Sequence, residues 1–192
     1  MGRRVVPQLS YRTVAATRAA VSMSNGLRVM PDLAFDEVEG IDVLMVPGGP
    51  GWREAAADPA ILAFIGKWGA IANVCSICTG AMILAAAGTL DGLAATTKSV
   101  VVPPERSPLG ELDERYKNVS AVNALLVDSG RVVTGGGVTL CIDTTLHLIA
   151  MRYGGAAADE VARIMEYGAA LTANASRLPM ISSKVSQPDR GR

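Results

Sequence analysis

Residues 72–84 read A-N-V-C-S-I-C-T-G-A-M-I-L and change character within three positions. Up to Ile77 the apolar run of Ile71, Val74, Cys75 and Ile77 predicts a buried strand. From Ala81 to Ala87 only Ile83 is β-branched, and the pattern predicts a helix. Cys78-Thr79-Gly80 then has to turn the chain sharply from one to the other. A thiol at such a turn has the first turn of a helix behind its sulfur. Unpaired N–H groups and the positive helix end favour a thiolate there, and the thiolate is the nucleophilic form. The geometry is the elbow by which α/β hydrolases present a serine, with cysteine in its place. The competing reading of Cys78 is a small, inert core residue.

Two further strand-to-turn junctions point to the same end of a sheet. Val43-Leu44-Met45-Val46 runs into Pro47-Gly48-Gly49-Pro50-Gly51, a loop that exposes N–H groups and lets a substrate approach the backbone. Ligands of parallel sheets gather beyond the carboxyl ends of the strands. An amide from Gly49 and one from Thr79 are thus expected to hold an oxyanion formed by attack of Cys78. Val132-Val133-Thr134 runs into Gly135-Gly136-Gly137-Val138-Thr139. It has neither the lysine of a P-loop nor the spacing of a dinucleotide fingerprint. It reads as a pocket edge or as a glycine turn that lets the next helix pack closely.

The rest of the chain alternates strand and helix, which means a mostly parallel sheet covered on both faces. Strands are expected at Tyr11–Thr17, Val43–Val46 and Leu93–Thr97. A hairpin is expected about Asn25-Gly26, and another from Val119–Val127 to Arg131–Val133 about Asp128-Ser129-Gly130. Helices are expected at Arg53–Ala57, at Pro59–Trp68 with Asp58 as cap and Pro59 in the first position, at Val138–Tyr153 and at Ala156–Tyr167. Val100–Pro108, with its prolines, reads as irregular. Residues 1–175 read as one α/β domain and 176–192 as a flexible C-terminal tail.

Composition narrows the function classes. A chain of 192 residues supports one core burying about 70% of its unfolded surface. Eighteen basic and eighteen acidic residues cancel, and no Lys/Arg cluster is suited to tracking nucleic acid. No stretch reaches the length of a membrane span, and Met1-Gly2-Arg3-Arg4 leads into Pro7 and Gln8 rather than an apolar signal core. Three cysteines without a framework fit a reducing cytoplasm. Cys75 and Cys78 form C-x-x-C. A zinc site would need Cys141 and His147 as well, and a thioredoxin-like pair would need both cysteines at the helix start rather than one within the strand. No metal and no cofactor are expected. His147, the only histidine, lies mid-helix and reads as a packed or half-exposed residue. Asp143 suits the start of its helix and is also a candidate to face the pocket.

Pro47-Gly48-Gly49-Pro50-Gly51, Ser76-Ile77-Cys78-Thr79-Gly80-Ala81 and Gly136-Gly137-Val138-Thr139 with Ile142-Asp143 together resemble the ThiJ/PfpI group of the class I glutamine amidotransferase-like superfamily. Within it the chain is most similar to the isocyanide (isonitrile) hydratases, and it also resembles the sensor domains of AraC-type regulators. The resemblance covers about residues 11–167. It implies a flavodoxin-like, three-layer α/β/α sandwich, usually a homodimer, with Cys78 at the elbow. It implies a catalytic pair of Cys78 and Thr79. Substrate and oxyanion contacts would come from Gly48, Gly49, Pro50, Gly80, Gly137, Val138 and Thr139.

The chain departs from the family pattern in two places. Lys98-Ser99-Val100 stands where relatives carry a histidine and an aromatic residue. Family members also open with an apolar strand and a helix bearing an acid that faces the cysteine, whereas here no acidic residue precedes Asp32. The first strand–helix unit therefore reads as absent. Its loss is expected to leave a gap in the middle of the sheet, a more open pocket and a Cys78 without a carboxylate beside it. The activity implied is Cys-dependent addition of water to a small electrophile such as an isocyanide, giving an N-substituted formamide. Alternatives are glyoxalase-like chemistry on α-oxoaldehydes, or a non-catalytic ligand- or redox-sensing domain. The expected partners are a small-molecule substrate and a second copy of the chain, with no nucleic acid and no membrane.

Overall fold

The computed structural model describes residues 2–182. The strands are β1 (Val14–Ala15), β2 (Val21–Ser22), β3 (Arg28–Val29), β4 (Leu33–Ala34), β5 (Val43–Val46), β6 (Asn73–Ile77), β7 (Ala94–Ala95), β8 (Ser120–Ala121), β9 (Leu126–Asp128), β10 (Val132–Gly135) and β11 (Met180–Ser182). The helices are α1 (Gly2–Val5), α2 (Trp52–Ala55), α3 (Pro59–Gly69), α4 (Gly80–Ala86), α5 (Pro108–Arg115), α6 (Leu140–Tyr153), α7 (Gly155–Ile164) and α8 (Gly168–Arg177).

The main sheet has the order β11-β9-β10-β6-β5. Its β10-β6-β5 portion is parallel, β9 runs antiparallel to β10, and β11 runs parallel to β9. Alternation along the strands sorts the side chains. Leu44, Val46 and Val74 join Ile61 and Ile65 of α3 and Met82 and Leu84 of α4 in one core. Cys75, Val133 and Leu126 pack with Leu140 and Leu148 of α6 on the other face. Behind α6, Leu146 and Ile149 meet Ala158, Val161 and Ala162 of α7. The architecture is the expected flavodoxin-like sandwich.

Local chemistry sets the element ends. Asp58 caps α3, its Oδ1 accepting from Ala60 N at 2.8 Å and Ile61 N at 3.3 Å, with Pro59 in the first turn. The Asn25-Gly26 hairpin forms as expected between β2 and β3. Gly26 takes the left-handed φ of +86° that such a turn needs.

Other elements differ from expectation. Tyr11–Thr17 shrinks to β1, because Asp32 captures the strand's start. Its Oδ2 accepts from both Thr13 N (2.7 Å) and Thr13 Oγ1 (2.8 Å). Val119–Val127 is not one strand but splits into β8 and β9. Val122 N turns to Ala95 O and Ala124 O takes the Thr96 hydroxyl. Pro108 does not break structure but begins α5, with Ser107 as its cap. The segment read as a tail holds the end of α8 and the edge strand β11; residues 183–192 lie outside the described residues.

The gap expected in the middle of the sheet is not found in the five-stranded ladder. The five strands are continuous, and the ladder stops at β5. β1 pairs with β4 in a separate two-stranded sheet. Val14 and Leu33 of that sheet pack with Leu44 of β5 against Phe64 and Trp68 of α3. The two sheets thus share a helix, and among the described residues no ladder joins them.

Glu111 of α5 is 3% exposed. Its carboxylate is held by Arg53 of α2, with Nη1 and Nη2 at 2.8 and 2.5 Å from its two oxygens. That hydrogen-bonded guanidinium lowers the Glu111 pKa below the ordinary 4.5. The stabilisation is present in full above pH 4.5 and is lost as pH falls through the lower, folded-state pKa. We expect Glu111→Gln to flatten the acid limb of the stability–pH curve, read by thermal melts between pH 3 and pH 6. An unchanged acid limb would remove Glu111 from the acid-sensitive contacts.

Candidate active site

Parallel pairing brings the three glycine-bearing junctions to one end of the sheet. Ile77 pairs with Gly135, and Val46 pairs with Ser76. Cys78 stands just past β6 with φ +54°. This left-handed conformation costs an L-residue about 1–2 kcal/mol and persists only where the surroundings over-determine it. They do so here. Cys78 N donates to both Gly135 O and Gly136 O at 3.2 Å. Cys78 O accepts from the buried Thr97 hydroxyl at 2.7 Å. Val138, a β-branched residue in the neighbouring junction, is also at positive φ, +30°, where such residues are outliers.

Thr79 is buried directly behind the cysteine. Its Oγ1 accepts from Gly49 N at 2.9 Å and lies 3.3 Å from Gly49 O. This corrects the expected pair of amides: the Gly49 N–H is committed to the Thr79 hydroxyl. The Thr79 N–H has no acceptor among the described residues and remains available. Gly80 is fixed by packing, since a Cβ there would fall 2.1 Å from Val46 O.

The other expected site residues lie around this turn. Gly48 and Pro50 are exposed on the β5 loop. Gly137 lies against the Lys98 stem, while Val138 and Thr139 are exposed on the approach to α6. The Lys98 ammonium is paired with Glu105 at 2.8 Å.

The three cysteines differ in environment. Cys75 is fully buried, and burial pushes its thiol up to about 12. Cys141, in the first turn of α6, is raised by burial first, with further contributions from the charges of Asp143 and Cys78. Asp143 is buried and faces the α7–α8 junction. Its Oδ2 accepts from Tyr167 OH (2.8 Å) and Asn174 Nδ2 (3.0 Å), while its Oδ1 has no partner among the described residues. Burial and that carboxylate push the Tyr167 hydroxyl up to about 12. No side chain among the described residues is hydrogen-bonded to Cys78 Sγ.

His147 Nε2 lies 2.9 Å from Asp128 Oδ2. Asp128 pairs with Val133 near the start of β10, so His147 tethers α6 at the end of the sheet opposite to Cys78. Among the described residues no group of three His, Cys, Asp or Glu side chains is placed to hold a metal ion.

A profile of the DJ-1/PfpI family matches residues 7–151. The chain belongs to the DJ-1/PfpI family. Isonitrile hydratase of Pseudomonas putida is 33% identical over 169 residues, 86% of this chain and 69% of that enzyme. The transcriptional regulator GbdR of Pseudomonas aeruginosa is 27% identical over 158 residues, 79% of this chain and 41% of the regulator. The crystal structure of a ThiJ/PfpI family protein from Pseudomonas syringae superposes with a TM-score of 0.75 at 28% identity, covering 87% of this chain and 68% of that one. A DJ-1 superfamily protein from Salmonella typhimurium gives 0.70 at 27% identity, with 86% of each chain covered. The family resemblance read from the three glycine-bearing motifs is thereby established.

Two contacts hold the elbow in this chain. Its elbow hydroxyl is tied to the Gly49 backbone, and Thr97, which sequence reasoning passed over, holds the cysteine's carbonyl. Two adjacent threonines, Thr96 and Thr97, follow the short β7 segment and send their side chains to different partners, a division of roles that exists only in the folded chain.

Proposed function

We propose that this DJ-1/PfpI member is a Cys78-dependent hydratase of small electrophiles, with isocyanides as the substrate class. The observation that carries the reading is the strained cysteine elbow at the carboxyl ends of β5, β6 and β10. Similarity to isonitrile hydratase adds to it. The Cys78 thiolate attacks the terminal isocyanide carbon, forming a C–S bond, and that carbon takes up a proton to give a thioimidate. Water adds to the same carbon. Collapse breaks the C–S bond, returns the thiolate and releases the N-substituted formamide. Isocyanide plus water balances the product. Charge developing in these steps meets the Thr79 N–H, and Gly48, Pro50, Gly80, Gly137, Val138 and Thr139 shape the space around it.

The proton donor is the open element of this scheme, since no carboxylate is bonded to Cys78 among the described residues. A positioned acid or base contributes about 10²–10⁴ in rate, so turnover by this chain is expected to be slow. The same observation, with the similarity to GbdR, supports ligand sensing as the second reading.

A turnover assay with an alkyl isocyanide and with methylglyoxal separates these readings. Formamide production by the wild type, with none by Cys78→Ser, is the expected result. Consumption of methylglyoxal alone would replace the hydratase with a glyoxalase. Saturable binding of either compound without turnover would establish the sensing role. We further propose a cytoplasmic homodimer, the commonest soluble assembly. Light scattering at micromolar concentration is expected to give about twice the 19.9 kDa chain mass, and a monomer would rule the dimer out. No helix among the described residues is long and apolar enough to cross a membrane.

A further inference from the structure

The Cys78 carbonyl and the Thr79 N–H belong to one peptide group. That peptide is trans, the Pro103–Pro104 bond being the cis peptide of the described residues. Its N–H therefore points opposite to its C=O, and whatever fixes one fixes the other. The C=O is fixed by the Thr97 hydroxyl at 2.7 Å; its other contact, from Ala81 N, is long at 3.4 Å. Thr97 is itself 2% exposed and well anchored. Its neighbour Thr96 donates its N–H to the Thr134 hydroxyl oxygen at 2.9 Å and its own hydroxyl to Ala124 O at 3.2 Å. On the far side of the peptide, a Cβ built on Gly48 would fall 2.5 Å from Thr79 N. Thr79 Oγ1 is equally close to that point and Ile77 O lies 2.9 Å from it, so the Gly48 backbone packs against the turn beside an amide that has no acceptor among the described residues.

We propose that Thr97 is a positioning residue for anion stabilisation. By donating to the Cys78 carbonyl it fixes the direction of the Thr79 N–H on the opposite side of the shared peptide, and by polarising that peptide it strengthens the donor. This rests on the reading that the Thr79 amide faces developing negative charge at the Cys78 site. It does not depend on which substrate the protein turns over.

The test compares two reagents on the full chain. With p-nitrophenyl acetate, Cys78 forms an S–C bond to the carbonyl carbon, an oxyanion develops, and the aryl C–O bond then breaks to release p-nitrophenolate. With iodoacetamide, the S–C bond forms as iodide leaves, and no oxyanion appears. Removing an oxyanion donor outright costs about 10²–10³ in rate. Misaiming one is expected to cost about tenfold. We expect Thr97→Val to slow acylation of Cys78 about tenfold while leaving its alkylation within about twofold of the wild type. Thr97→Ser, which keeps the hydroxyl, restores acylation. Thr97→Ala, which removes the hydroxyl without adding bulk, repeats the valine pattern should valine disturb the fold. Equal loss with both reagents would make Thr97 a purely structural residue and overturn the proposal. So would acylation unchanged in both Thr97→Val and Thr97→Ala. Absence of isocyanide turnover would leave these rate ratios intact and would count only against the hydratase reading.

Discussion

Iodoacetamide near neutral pH will label Cys78 and leave Cys75 unmodified. Burial pushes the Cys75 thiol from the ordinary 9.0 up to about 12, which lowers its thiolate fraction at pH 7 roughly a thousandfold. It is also shielded on every side, at 0% exposure. Cys141 is raised in the same direction, by burial first. Cys78 is not fully buried like Cys75, and it stands at the start of α4 on a turn that faces the loops. Peptide mapping after partial labelling reads the order of reaction directly. Preferential modification of Cys75 or Cys141 would remove Cys78 from the nucleophile's place. Cys78→Ser is expected to abolish turnover, with its circular dichroism spectrum and melting temperature close to the wild type.

Gly80→Ala should be among the most damaging single methyl groups that can be added to this protein. The added carbon would meet Val46 O at 2.1 Å, Val46 C at 3.0 Å and Pro47 C at 3.2 Å, all of them backbone. No side chain can swing aside, so α4 and β5 would have to separate. Overpacking a tight core costs typically 1–3 kcal/mol and more where the backbone must move. We expect a loss of at least about 3 kcal/mol, read as a melting point lower by roughly 6–12 °C. Gly66→Ala is the control. Gly66 lies within α3 with nothing inside 4 Å of the new carbon, so alanine should stabilise the helix by about 0.8–1 kcal/mol. Similar responses of the two variants would show that the elbow does not need the close approach.

The parts of the fold that the sequence made legible are those set by local chemistry. The change of period at Cys78, the Asp58-Pro59 helix start and the Asn25-Gly26 turn each depend on residues within a few positions. What remained hidden depends on contacts far apart in the chain. That Gly49 spends its amide on Thr79 involves a partner 30 residues away, and that Thr97 reaches Cys78 spans 19. Both were invisible to spacing, because they exist only once β5, β6 and β7 are brought together. β1 was overread for a related reason. Its alternating residues suit a strand, but a strand is as long as its partner allows, and Asp32 closes this one early. α8 was missed because it buries no residue among its ten positions, leaving no apolar stripe to detect.

The end of the main ladder at β5 bears on how this protein behaves at high concentration. An edge strand with one side of its backbone unpaired is a template for intermolecular strand addition. Val43-Leu44-Met45-Val46 carries no charge along that edge, and Met45 is 42% exposed. Protection falls to the residues that bracket it. Asp42, whose carboxylate is held by Arg152 at 2.8 Å, bars a growing stack at one end, and Pro47 withholds an N–H at the other. These two act as gatekeepers of the kind that flank aggregation-prone segments, so at this edge of the sheet the guard against strand addition rests on the two residues that bracket a four-residue strand.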